Sequence, residues 1–152
     1  MSGRFRVTPA VYLFLVRGDR LLLARRAGGW GDGNWSVPAG HLEGDESAVD
    51  AVAREALEEI GVSLDPASLR LVHTMHRRDP MNRDNERIDL FFEAEAGVVA
   101  PENREPDRCS AIAWFATDDW PDPHLGYVRE AWRLSRRGVA FSDDGWDERH
   151  FA

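Results

Sequence analysis

An α/β/α sandwich around a mixed β-sheet is the fold class this sequence predicts, and three observations carry it. Strand-like runs come first, a helix follows a bend bearing Pro and Gly, and further strands precede a closing helix. The central helix has one apolar stripe, Val49, Val52, Ala53, Ala56 and Ile60, suited to packing on a sheet. At 152 residues the chain fits one domain, taken as residues 1–152, with enough length to bury a real core.

Val7 to Val16 is rich in β-branched and aromatic residues and reads as a buried strand. Arg17 to Arg20 reads as a hairpin turn, with Gly18-Asp19 supplying positive φ angles, and Leu21 to Arg26 as the return strand. The next eight residues, AGGWGDGN, hold four glycines and read as a mobile loop. Trp35-Ser36-Val37 is a short strand entering Pro38-Ala39-Gly40, where Pro38 restrains φ and Gly40 allows a close backbone turn. Ser47 is the expected N-cap of a helix over Ala48–Ile60, with Gly61 as its C-cap. Glu46 then stands outside the helix and can fold back toward Arg54. Two helical residues eight apart would be separated by about 12 Å along the axis.

Leu69 to His76 alternates and reads as a strand. The polar run after it, with Pro80, two asparagines, Arg77, Arg78, Arg83 and Arg87, reads as a loop, either solvated or a basic lid. His73 and His76 fall on opposite faces of a strand and cannot share one ion, so a structural or surface role is expected. Ile88 to Ala96 is a strand with Leu90 and Phe92 on one face and Phe91 on the other. Ser110 to Ala116 is read as the last clear strand, and His124 to Arg136 as the closing helix, with Leu125, Val128, Trp132 and Leu134 apolar. The acidic tail, about residues 138–152, is expected to be flexible or to lie at an interface.

On the central helix, Glu58 and Glu59 fall about 60° back and about 40° forward of Glu55. Three carboxylates share one arc, and like charges so placed repel by a few tenths of a kcal/mol per pair. A solvated acidic face is one explanation. A hard cation such as Mg²⁺, which takes oxygen ligands and inverts the local charge logic, is the other.

The surrounding spacing bears on that choice. Gly40, five residues, Glu46, seven residues, Arg54-Glu55-Ala56, one residue, Glu58-Glu59, one residue, Gly61-Val62 resembles the Nudix box at every defined position. The resemblance implies the α/β/α fold and hydrolysis of a nucleoside diphosphate linked to another moiety, with Mg²⁺ (Mn²⁺ as a substitute). It implies Glu55, Glu58 and Glu59 as metal ligands and catalytic groups, with the Ala39 carbonyl as a backbone ligand where family members usually have glycine. Gly40, Glu46, Arg54 and Gly61 would be structural, Glu46 and Arg54 supporting the loop–helix geometry. Arg26, Trp35 and Ser36 would face substrate. Trp120 and Asp122 resemble a base-binding corner of the oxidised-purine nucleotide hydrolases, although a Trp near a helix start is most often core. An upstream glutamate of the MutT-like members is replaced by Ala100, so a fourth carboxylate must come from Glu102, Glu105 or elsewhere.

The net charge of −8 argues against a duplex-binding surface but not against a small phosphorylated ligand, since a divalent ion can bridge protein and anion. No apolar run reaches the length of a membrane span. One cysteine, Cys109, excludes an internal disulfide and fits a reducing cytoplasm. The expected activity is conversion of a nucleoside triphosphate to a monophosphate and pyrophosphate. ADP-ribose, a nucleotide sugar, a dinucleoside polyphosphate or a capped RNA end are alternative substrates. A Nudix-fold binding module without turnover and a prenyl diphosphate isomerase are more distant alternatives; the latter needs a cysteine near the site, a role not evident for Cys109. A homodimer is compatible with the sequence.

Overall fold

The computed structural model describes residues 3–146. Its elements run β1 (Thr8–Arg17), β2 (Arg20–Arg26), β3 (Trp35–Ser36), β4 (Ala39–His41), α1 (Ala48–Ile60), β5 (Arg70–Asp79), β6 (Asn82–Glu95), β7 (Cys109–Ala116), α2 (Gly126–Arg136) and β8 (Phe141–Asp144). One mixed sheet has the order β3-β2-β1-β6-β5-β8, with β4 on β1 and β7 on β2. The β1–β6 and β5–β8 pairs are parallel and the others antiparallel.

Strand β1 is buried on both faces, as its apolar run requires. Tyr12, Phe14 and Val16 join Leu21, Phe91, Met75, Val128 and Trp132 in a core under α2. Val11, Leu13 and Leu15 join Leu22, Phe92, Val52, Ala56 and Ile60 in a core under α1. The period-2 alternation of one strand thus feeds both outer layers. Phe91 and Phe92 separate between the two cores as the alternation predicts.

The β1–β2 hairpin pairs only at Val16↔Leu21 and Arg17↔Arg20. Beyond that the strands part, β4 taking up β1 at Ala10–Tyr12 and β3 taking up β2 at Ala24–Arg25. This splay opens the cavity described below. In the turn itself only Gly18 has a positive φ, 59°, so Asp19 does not share that role.

Helix α1 matches its sequence boundaries. Ser47 accepts from the Asp50 N–H at 3.1 Å, and Gly61, at φ 67°, donates to Leu57 O. Its buried residues are Ala51, Val52, Ala56 and Ile60; Ala51 joins the expected stripe, while Val49 and Ala53 are only partly buried.

Two further expectations are corrected. The polar run after His76 is a ladder rather than a loop: Arg77 pairs with Arg87 and Arg78 with Glu86, leaving a tight turn between Asp79 and Asn82. Its side chains find partners across the strands, His76 with Glu86 at 2.6 Å and Arg77 with Asp89 at 2.7 Å. Polarity here signals pairing, and Arg77 and Arg87 stand on strands that line the cavity described below. The start of the acidic tail is also ordered, Phe141–Asp144 lying parallel to β5 as β8. Buried His73 holds this strand through Val139 O and Ser142 Oγ, both at 2.8 Å, which is the structural role expected of it. Residues 147–152 of the tail lie outside the described residues.

Candidate active site

A cavity of about 500 Å³ occupies the splay between β1 and β2. Glu55, Glu58 and Glu59 of α1 reach it with Ala39 and Gly40 of β4, Glu105 of the β6–β7 connection, and arginines from β2, β5 and β6.

The acidic part is built on two backbone contacts. Glu59 Oε2 accepts the Ala39 N–H at 3.1 Å, and the Glu55 carboxylate lies so close over Gly40 that a Cβ there would run into it. Gly40 is needed for this approach; its φ lies outside the left-handed region. Burial, followed by the charge of Glu55, pushes the Glu59 carboxyl well above the usual carboxylate range. Burial likewise raises Glu55, with Arg54 pulling against it.

Arg54 occupies the middle of this charge cluster. Its Nε and Nη2 donate to the two Glu46 oxygens at 3.0 and 2.8 Å, and Nη1 donates to Glu55 Oε1 at 2.8 Å and Glu58 Oε2 at 3.2 Å. The bidentate guanidinium holds the Glu46 carboxyl down at about 2, and the Glu43 N–H adds to the effect. The loop–helix brace expected of Glu46 and Arg54 is therefore formed.

Among the described residues, no three His, Cys, Asp or Glu side chains form a ready-made metal cage. Arg54 already bonds two of the carboxylates that such a cage would need. The donor chemistry nonetheless fits a hard divalent ion: two crowded carboxylates, Glu55 and Glu59, stand with their ionised forms disfavoured, and all-oxygen donors suit Mg²⁺. Of the two candidates for a fourth carboxylate, Glu105 lines the cavity and its charge acts on Glu59, whereas Glu102 is exposed and faces Arg104.

Arg26 lines the cavity, with its Nε donating to Trp30 O at 3.0 Å, and buried Ser36 lies on the wall. Trp35 does not reach it. Its ring meets Phe115 edge-on, and its backbone N–H donates to Pro123 O. Trp120 is a core residue, 5% exposed, whose Nε1–H donates to Thr117 O, and Asp122 faces His124 at 3.2 Å. Neither is among the residues that line the cavity. Trp120 thus sits in the core, as a Trp near a helix start most often does.

Several wall residues escape sequence reasoning. Tyr12 and Tyr127, 115 positions apart, join hydroxyls at 2.9 Å, and no sequence signal links them. Arg77 and Arg87 belong to the polar run that reads as a loop in sequence and pairs as a ladder in the fold. Arg87 Nη1 donates to His41 Nε2 at 2.5 Å, and burial together with the Arg87 charge lowers the His41 pKa. Trp30 could have been singled out, as the one bulky residue of the glycine-rich loop, 50% exposed. Cys109 also lines the cavity; its thiol donates to Ala111 O, and burial pushes its pKa up.

Comparison with known proteins adds three findings. The NUDIX domain family model matches residues 6–136. The NAD-capped RNA hydrolase NudC of Pseudomonas syringae pv. syringae is 32% identical over 141 residues, 88% of this chain and 47% of that protein. The phosphatase NudJ of Escherichia coli is 49% identical over 85 residues, 56% of this chain and 53% of that protein. The chain thus spans about half the length of these curated relatives. Among solved structures, a MutT NUDIX hydrolase from Burkholderia pseudomallei is 29% identical with a TM-score of 0.77, covering 85% of this chain and 98% of that one.

Proposed function

The chain belongs to the Nudix family, and from that premise we propose that it hydrolyses a phosphoric anhydride in a nucleoside triphosphate or a related nucleoside diphosphate derivative. A triphosphate would yield a nucleoside monophosphate and pyrophosphate. The observation that carries this reading is the crowding of Glu55 and Glu59 against Gly40 and Ala39 in a cavity also lined by arginines. Such a wall suits a hard cation between protein and phosphates.

In this reading Glu55, Glu58 and Glu59, with the Ala39 carbonyl, would hold Mg²⁺ or Mn²⁺, and Glu105 is the candidate fourth carboxylate. The bound ion would supply charge neutralisation on the phosphates and acidify the attacking water. Arg25, Arg26 and Arg108 line the same cavity and hold the anionic chain in place. Glu55 takes the water's proton as the water oxygen bonds to phosphorus. The bridging P–O bond breaks, and its electron pair leaves on the departing phosphate. Positioning and electrostatic stabilisation account for most of the expected rate.

A second reading keeps the chemistry and changes the substrate. The relative matched over 88% of this chain is named an NAD-capped RNA hydrolase, which favours a dinucleotide or a capped RNA end. The two readings differ in products: a triphosphate releases pyrophosphate and a dinucleotide releases two monophosphates. The test is a Mg²⁺-dependent screen of nucleoside triphosphates, NAD, ADP-ribose and nucleotide sugars, with products resolved by chromatography. Release of pyrophosphate from a triphosphate is expected. Binding of a nucleotide in calorimetry without hydrolysis of any of them, with Mg²⁺ or Mn²⁺, would sink both readings in favour of a binding module. No helix among the described residues is long and apolar enough to cross a membrane. We propose a cytoplasmic setting on the single cysteine.

A further inference from the structure

Arg77 of β5 stands on the cavity wall, 4% exposed. Its Nε donates to Asp89 Oδ2 at 2.7 Å, and its guanidinium lies 3.9 Å over the Tyr127 ring. Trp30 stands 6.0 Å from the same guanidinium. A buried ion pair contributes little net stability, and apolar residues of similar volume would serve the fold as well. Asp89 Oδ1 is moreover buried without a partner at full hydrogen-bond geometry, the Tyr12 hydroxyl steadying the carboxylate besides Arg77.

The pair leaves something over. Among the described residues neither terminal nitrogen of Arg77 has a protein acceptor, and neither is sealed off as a buried orphan. Asp89 already balances the charge, so Arg77 exerts little net pull on a phosphate. What remains is a planar fork of N–H donors locked in one orientation. Arg25, Arg26 and Arg108, which line the same cavity without an ion pair among the described residues, are better placed to serve the phosphates.

A fixed donor fork beside aromatic rings matches two adjacent acceptors on the edge of a planar heterocycle. O6 and N7 of a 6-oxopurine supply that pattern. Adenine instead sets an amino donor beside N7, which the fork cannot accept. We propose that Arg77 determines specificity by donating to the O6/N7 edge of a 6-oxopurine base in the substrate, with the Trp30 ring available for stacking. The proposal rests on the hydrolytic reading of the cavity given above.

The test compares guanine with adenine nucleotides in two ways: Mg²⁺-dependent kcat/KM for GTP and ATP, and calorimetric affinity for GDP and ADP. The wild type should favour guanine by at least about tenfold in both. Arg77→Lys, which keeps the charge and loses the fork, should abolish the preference. So should the double variant Arg77→Met/Asp89→Leu, which removes both charges; its circular dichroism should show that the fold survives. Equal values for guanine and adenine in the wild type would overturn the proposal while leaving the hydrolytic reading intact. A GDP preference with no turnover of any nucleotide would do the reverse. A preference that persists in both variants would also overturn it.

Discussion

The cavity has two walls assembled on opposite principles. The acidic wall comes from one turn and a half of α1, Glu55 to Glu59, braced by Arg54, Glu46 and the adjacent Gly40. The aromatic and basic wall takes Tyr12 from β1, Arg77 from β5, Asp89 from β6, Tyr127 from α2 and Trp30 from the glycine-rich loop. The first wall is local in sequence and carries the carboxylates of the proposed chemistry. The second is non-local, and its one strong charge is balanced. Chemistry needs fixed carboxylates at fixed spacing, whereas recognition can be met by any residues that the fold brings together.

The contrast can be broken most sharply at Arg77. Arg77→Met alone strands the fully buried Asp89 carboxylate and should cost about 3–5 kcal/mol in denaturant unfolding. Adding Asp89→Leu should restore most of that loss. A single variant as stable as the wild type would mean that the pair is not buried as described. The acidic wall should respond in the opposite sense: Glu58→Gln or Glu59→Gln should cut turnover by at least ~10² with the fold intact. Near-wild-type rates in both variants would remove these residues from the mechanism.

A finer test concerns the seat of Glu55. Gly40→Ala places a Cβ against its carboxylate, which is the far end of a flexible side chain and can swing away. Folding should survive, while turnover falls by about 10- to 10²-fold through misplacement of one group. Unchanged kinetics would show that Glu55 does not act from this position.

The smallest effect is that of acid on the brace. The folded-state pKa of Glu46 is depressed to about 2. Its pairing with Arg54 therefore contributes stability that is present above about pH 4.5 and lost as pH falls from there through about 2. Melting temperatures of the wild type and Glu46→Gln should converge over that range. Parallel curves would show that the brace adds nothing measurable.

Much of the fold was legible because its signals are local. The apolar run of β1, the Ser47 and Gly61 caps of α1 and the opposed Phe91 and Phe92 each depend on neighbours a few residues away. The β5–β6 ladder was misread because polar residues suggest a loop unless their partners are known. Those partners, Glu86 for His76 and Asp89 for Arg77, lie across the hairpin. Strand β8 was missed because Phe141–Asp144 is short and acidic; it gains its ladder from β5 and from the His73 bonds. The resemblance offers Trp120 and Asp122 as a base-binding corner, and the chain turns Trp120 into the core.

The sequence by itself determined the α/β/α class, the limits of α1 and the residues of the acidic wall, because a helix converts spacing directly into a shared face. Only the tertiary structure decided that Glu55 rests on Gly40, that Arg54 also bonds Glu55 and Glu58, and that Tyr12, Arg77 and Tyr127 meet. Those contacts depend on how β1 and β2 part and on which strand lies beside which. Pairing across a sheet follows from long-range packing, which no local pattern in the chain records.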